Sequence, residues 1–212
     1  MATNPNARSV KIGEDERGGW SSDRPRRGNA PPRPDDISVR CRVLKPSHEL
    51  RYSPGSLLLI ASASADARER LAERAVESAG AILSLPKVHR LLAGKLGEDQ
   101  AAARAPELLD AAVAKRLESN ESVALVTDGL DPAERERYAR MAAKLRRPRH
   151  LVLVEAGRDE VADDDRAALN ELRRRLDAGE LGAEGFQTAL RLGGAAPSDL
   201  KRIVFRPEPR DD

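Results

Sequence analysis

Ser56-Leu-Leu-Leu-Ile-Ala-Ser-Ala-Ser-Ala-Asp-Ala-Arg-Glu-Arg-Leu71 changes character halfway along. Its first part, Leu57 to Ala61, is continuously apolar, as a central parallel strand covered on both faces must be. Ser64 is then placed to cap a helix over about 64–78, whose apolar stripe is Leu71, Ala72, Ala75 and Val76. A buried strand running straight into an amphipathic helix is the unit from which α/β sheets are built.

The same alternation repeats downstream. Gly80 stops the first helix, and Ala81–Leu85 is the next strand, with Pro86 opening a short helix. A helix over about 105–119 has Pro106 in its first turn and Leu108, Leu109, Ala112, Val113 and Leu117 on one side. Ser122–Val126 is a buried-type strand, and Asp131-Pro132 caps and starts another helix. His150–Val154 is strand, 163–178 a charged helix, Gly185-Phe186 leads into a strand ending at Leu192, and Lys201–Phe205 is short and apolar enough to be a strand or a helical turn. Upstream, Ile37–Val43 alternates as a half-buried strand does, and Glu49–Tyr52 returns as a second. The expected fold is a three-layer α/β sandwich with a mainly parallel sheet over 37–212.

Residues 1–36 carry little apolar content beyond Val10, Ile12 and Trp20. They read as a disordered Pro/Arg/Gly-rich tail. Its Arg24-Pro-Arg-Arg27 and Pro31-Pro-Arg-Pro34 runs are a solubilising leader, a short docking motif or an arm for nucleic acid.

Composition removes several function classes. Lys+Arg 37 against Asp+Glu 35 gives a net charge of +2, so no strong global field draws in a polyanion. Cys41 is alone and His48, His89 and His150 are scattered, so neither a disulfide framework nor a zinc-type ligand set is expected. The longest apolar run, Leu57 to Ala61, is far too short for a membrane span, and with no apolar leader segment the expected compartment is the cytoplasm. The aromatics are only Trp20, Tyr52, Tyr138, Phe186 and Phe205, so the core is aliphatic.

In such folds ligands sit at the carboxyl ends of strands, beside helix N-termini. The segment from Ser62 to Glu69 has the length and place of a P-loop, G-x-x-x-x-G-K-[ST], with none of its chemistry. Ser62 and Ala67 stand at the two glycine positions, Arg68 at the lysine and Glu69 at the Mg²⁺-holding hydroxyl. Glycines there let successive amides turn inward, whereas a side chain costs about 1–3 kcal/mol per forced position. Asp66 and Glu69 would each repel a phosphate by roughly 4 kcal/mol at about 4 Å and an effective dielectric near 20.

Several short segments, from Glu49 onward, are similar to the kinase module of bacterial polynucleotide kinases of the RNA-repair type. They are Glu49-Leu-Arg51, Ser56–Ile60, Leu83-Ser-Leu-Pro86, His89–Gly94, Ala114-Lys-Arg-Leu117, Pro132-Ala-Glu-Arg135 and Glu184-Gly-Phe186. The resemblance implies a P-loop kinase fold and, in an intact member, ATP·Mg²⁺-dependent phosphorylation of a 5′-hydroxyl. This chain departs where that chemistry is carried. Pro86 occupies the position of the family's general base, and His89 that of the arginine near the acceptor phosphate. Val126 takes the next aspartate's position, with Asp128 two residues on as the surviving candidate. The lid between Glu155 and Leu169 looks shortened, with Arg158 and Arg166 as remnants.

The expected protein is therefore a catalytically inactive kinase-like domain, a binding or regulatory partner possessing neither ATP nor Mg²⁺ as cofactor and no resident metal. A protein partner is expected, beside a nucleic-acid-modifying enzyme. The alternatives are an ATP-dependent 5′-hydroxyl kinase with an unorthodox phosphate site, or a nucleic-acid module using Arg146, Arg147, Arg149 and the Arg-Pro tail.

Overall fold

The structure is a computed structural model that describes residues 36–207; the expectations for the N-terminal tail lie outside them. The body that begins at Ile37 is built on a six-stranded sheet whose strand pairs are all parallel. In chain order the elements are β1 (Arg42–Leu44), β2 (Glu49–Tyr52), β3 (Leu57–Ala61), α1 (Ala65–Ala75), β4 (Ile82–Ser84), α2 (Leu85–Ala93) and α3 (Glu98–Glu118). There follow β5 (Val123–Thr127), α4 (Pro132–Lys144), β6 (Arg149–Val154), α5 (Asp165–Asp177), β7 (Thr188–Leu192), α6 (Ala196–Asp199) and β8 (Arg202–Phe205).

The sheet runs β1-β7-β6-β3-β5-β4, so β3 is interior, between β5 and β6. Every residue of β3 is wholly buried, as its uninterrupted apolar sequence demands. Its alternate side chains feed two separate cores. Leu57, Leu59 and Ala61 pack with α3, α4 and α5 through Leu109, Val113, Leu117, Tyr138, Ala142, Leu169 and Leu172. Leu58 and Ile60 pack on the opposite face with Leu71 and Ala75 of α1, with Leu50 and Tyr52 of β2, and with Ile203 of β8. At about 1.5–3 kcal/mol for each large aliphatic side chain fully buried, this strand anchors both layers.

The distribution of helices follows from the chain's path. From β3 outward to β4 the crossover helix is α1, on one face. Every return step, from β4 to β5, β6 and β7, places its helix on the other face. Opposite travel with opposite faces is what crossovers of a single hand require.

The structure revises some expectations. Residues 37–41 are not strand: Val39 donates its amide to Gly182 O at 2.9 Å, so the segment lies along the 3₁₀ turn Glu180–Glu184, and β1 starts only at Arg42. An ideal Cβ on Gly182 would lie 2.1 Å from Val39 O, so the close approach depends on the missing side chain. β2 does not return beside β1; it pairs in parallel with β8 in a separate two-stranded sheet. The helix expected from 105 begins at Glu98, behind Gly97. Pro106 therefore sits inside it, on its exposed side, where water can take the carbonyl that proline's missing N–H leaves free. The buried stripe of α3 is Ala101, Ala105, Leu109, Val113 and Leu117, repeating every four residues, and Leu108 falls half outside it.

Candidate functional site

The carboxyl end of β3 leads into α1 with only three residues between, Ser62, Ala63 and Ser64. Two serines close this turn locally. Ser62 Oγ accepts from the Ser64 amide at 3.2 Å, and Ser64 Oγ caps α1 by accepting from the Ala67 amide at 3.3 Å. Ser62 is wholly buried. Ala67, Arg68 and Glu69 are already helical. Arg68 does not reach outward: its Nη1 donates to Ser62 O at 2.7 Å, bending the cation back on the turn's own backbone. The Glu69 Oε1 atom is buried and has no hydrogen-bond partner. A P-loop's excursion and inward nest of amides do not fit these residues.

The next loop closes down on the same place. Gly129 follows β5 with φ +62, and an ideal Cβ on it would stand 2.6 Å from Ala61 Cβ, at the end of β3. Leu130 is buried in the same core as Ala61. Asp128 is exposed past the strand end, where its Oδ1 accepts from the Leu130 amide at 3.2 Å and shapes this turn. Val126 points into the core within β5.

A buried ion cluster fixes this loop from beneath. Arg135 of α4 donates Nε to Glu184 Oε2 and Nη2 to Glu184 Oε1, each at 2.7 Å, and its Nη1 bonds Gly129 O at 2.7 Å and Leu130 O at 3.0 Å. Arg175 donates to the same carboxylate. Buried charges are tolerated when their lone pairs and protons are met in this way. Nearby, Thr127 Oγ1 donates to Glu134 at 3.0 Å. Burial pushes the Glu134 carboxyl above its ordinary range, the Thr127 bond opposes this, and the charge of Asp128 adds to it.

The other expected positions are dispersed. Pro86 is exposed in the first turn of α2, while His89 Nε2 faces Glu98 Oε1 at 3.4 Å. Arg158 opens the 3₁₀ turn Arg158–Glu160, and Arg166 pairs with Asp163 at 2.8 Å. Of the basic cluster, Arg146 is exposed just after α4. Arg147 donates inward to Leu117 O at 2.9 Å and Asn120 Oδ1 at 2.5 Å, and buried Arg149 donates to Gly185 O at 2.6 Å. Two of the three cations thus staple the fold instead of facing a phosphate backbone.

Among the described residues no group of three or more His, Cys, Asp or Glu is arranged to hold a metal ion. No helix among them is long and apolar enough to cross a membrane.

The ion cluster is the part of this region that sequence reasoning missed. Arg135 and Glu184 both lie in segments that carry the family resemblance, yet they are 49 residues apart, and nothing local in the sequence marks them as partners.

The fold is thus a three-layer α/β sandwich with a parallel sheet. Neither a protein-family model nor a curated protein matches the chain. Among solved structures it is similar to a proposed kinase from Chloroflexus aurantiacus J-10-fl, at 14% identity and a TM-score of 0.41, over 66% of this chain and 85% of that one.

Proposed function

We propose that this chain is a non-catalytic, kinase-like α/β domain that works as a binding or regulatory partner, beside an enzyme that modifies nucleic acid. The observation that carries this reading is the β3–α1 turn, where the cation that would meet a phosphate is bonded to Ser62 O instead. Phosphoryl transfer rests on positioning and charge stabilisation, and the residues at the phosphate, metal and base positions are alanine, glutamate and proline. The kinase-like part of the reading rests on the segments of sequence resemblance and on the interior placement of β3.

The test is to incubate the full chain with γ-labelled ATP, Mg²⁺ and a 5′-hydroxyl single-stranded RNA, and to measure RNA binding at two salt concentrations. The reading predicts neither transfer nor binding. Salt-sensitive RNA binding without transfer selects a nucleic-acid module instead, since counterion release gives phosphate contacts that dependence. Label on the RNA 5′ end overturns the reading.

A further inference from the structure

A cavity of about 380 Å³ opens at the carboxyl end of β6, between the β6–α5 connection and α5, lined by Ala156, Val161, Arg166, Leu169, Asn170 and Arg173. Its size falls within the range of small-molecule sites, and the carboxyl edge of a parallel sheet is where α/β folds place them. Val161 and Leu169 are buried and make an apolar floor with Ala156. Arg166, Asn170 and Arg173 follow one another along α5 at spacings that put them on one face of the helix. The wall therefore holds two guanidinium groups and an amide, and no carboxylate.

The two arginines are held differently. Arg173 is fixed: its Nε lies 3.0 Å from both Glu155 oxygens, its Nη2 also meets Glu155, and its Nη1 donates to Asn170 Oδ1 at 3.0 Å. Glu155 also accepts from Arg191. Burial alone would raise the Glu155 carboxyl, but the bonds from Arg173 and Arg191 outweigh it and hold its pKa below the ordinary range. This carboxylate therefore remains charged and keeps Arg173 in place. Arg166 is the movable partner. Among the described residues its ion pair is with Asp163, whose side chain is 83% exposed, and such a pair is weak enough to exchange.

We propose that this cavity binds a small carboxylate with an apolar body, its carboxylate taken by Arg166 and the Asn170 amide beside Arg173, its body on Val161 and Leu169. A planar guanidinium fork matches a carboxylate through two parallel bonds, and the apolar floor rewards a ligand that inorganic phosphate cannot imitate. The ligand displaces Asp163 from Arg166, so it gains one charge-assisted contact in exchange for a solvent-screened one.

The test uses the full chain, with hexanoate as the probe and inorganic phosphate as the comparator, followed by isothermal titration and by amide shifts of residues 156–173. Hexanoate is expected to saturate, and phosphate to bind at least about tenfold more weakly. Arg166→Ala is expected to weaken hexanoate at least about tenfold, with Arg166→Lys in between and thermal midpoints unchanged, because the Arg166–Asp163 pair is open to solvent and contributes little to stability. Val161→Asp gives a second probe of the floor and should abolish the shifts. Absence of saturable hexanoate binding at roughly 10 mM overturns the proposal, as does equal affinity for phosphate or unchanged affinity in Arg166→Ala.

Discussion

Arg68 Nη1 lies 2.7 Å from the carbonyl oxygen of Ser62, six residues back along the chain. A donor in the first turn of α1 is thus folded back onto the short turn that joins the helix to β3. Here the contact is structural: it meets a carbonyl at the mouth of β3 that solvent reaches poorly, because Ser62 is wholly buried. Arg68→Ala should lower stability by about 1–2 kcal/mol, read as a shift in the urea midpoint. An unchanged midpoint would show that the contact carries no weight.

Gly129 holds the β5–α4 loop against β3. With φ +62 and only 2.6 Å between an added Cβ and Ala61 Cβ, alanine there meets both backbone strain and overlap with the strand end. Gly129→Ala is expected to destabilise by about 2 kcal/mol or more, whereas Gly80→Ala, where no atom lies within 4 Å of the added carbon, should not. Equal effects of the two substitutions in thermal denaturation would refute this account of the loop.

Arg135 and Glu184 are buried at 1% and 5% side-chain exposure. Glu184→Ala leaves the guanidinium of Arg135 without its anion and frees Arg175 as well. The expected loss is about 3–5 kcal/mol, measured by equilibrium unfolding. Replacing both Arg135 and Glu184 with apolar residues should cost less than removing either one, as buried pairs often do.

These positions mark what could be read in the sequence. The three continuous apolar runs that became β3, β5 and β6 fixed the parallel sheet, since strands covered on both faces have no polar side. Ser64 and Asp131 were legible as caps because capping is local. The 37–43 segment misled because alternation reports a half-buried extended chain, which a turn such as Glu180–Glu184 can line as well as a strand can. The β2–β8 pairing was invisible for a different reason: its two strands are 4 residues each and stand far apart in the chain. The same holds for Arg149, which reads as part of an exposed basic cluster until β6 buries it.

His150 makes stability sensitive to acid. Its ring lies against Tyr52 with centroids 4.4 Å apart, Nδ1 is 2.9 Å from Thr188 Oγ1, and Nε2 has no partner. Burial first, then the charges of Arg149 and Arg42, push its pKa down to about 4. A histidine whose folded pKa lies below its unfolded value is protonated preferentially in the unfolded chain. Stability from this group is therefore intact above about pH 6.5 and falls as pH drops toward 4, by a total on the order of 3 kcal/mol. His150→Gln should flatten the stability profile between those limits in urea titrations at stepped pH. A profile that keeps its slope would assign the effect to other groups.

The β3–α1 turn is tested most directly by isothermal titration of the full chain with ATP·Mg²⁺. A turn closed by its own serines, with Arg68 bonded to Ser62 O, predicts no saturable heat at roughly millimolar nucleotide. Saturable binding in the micromolar range that disappears in Arg68→Ala would contradict it.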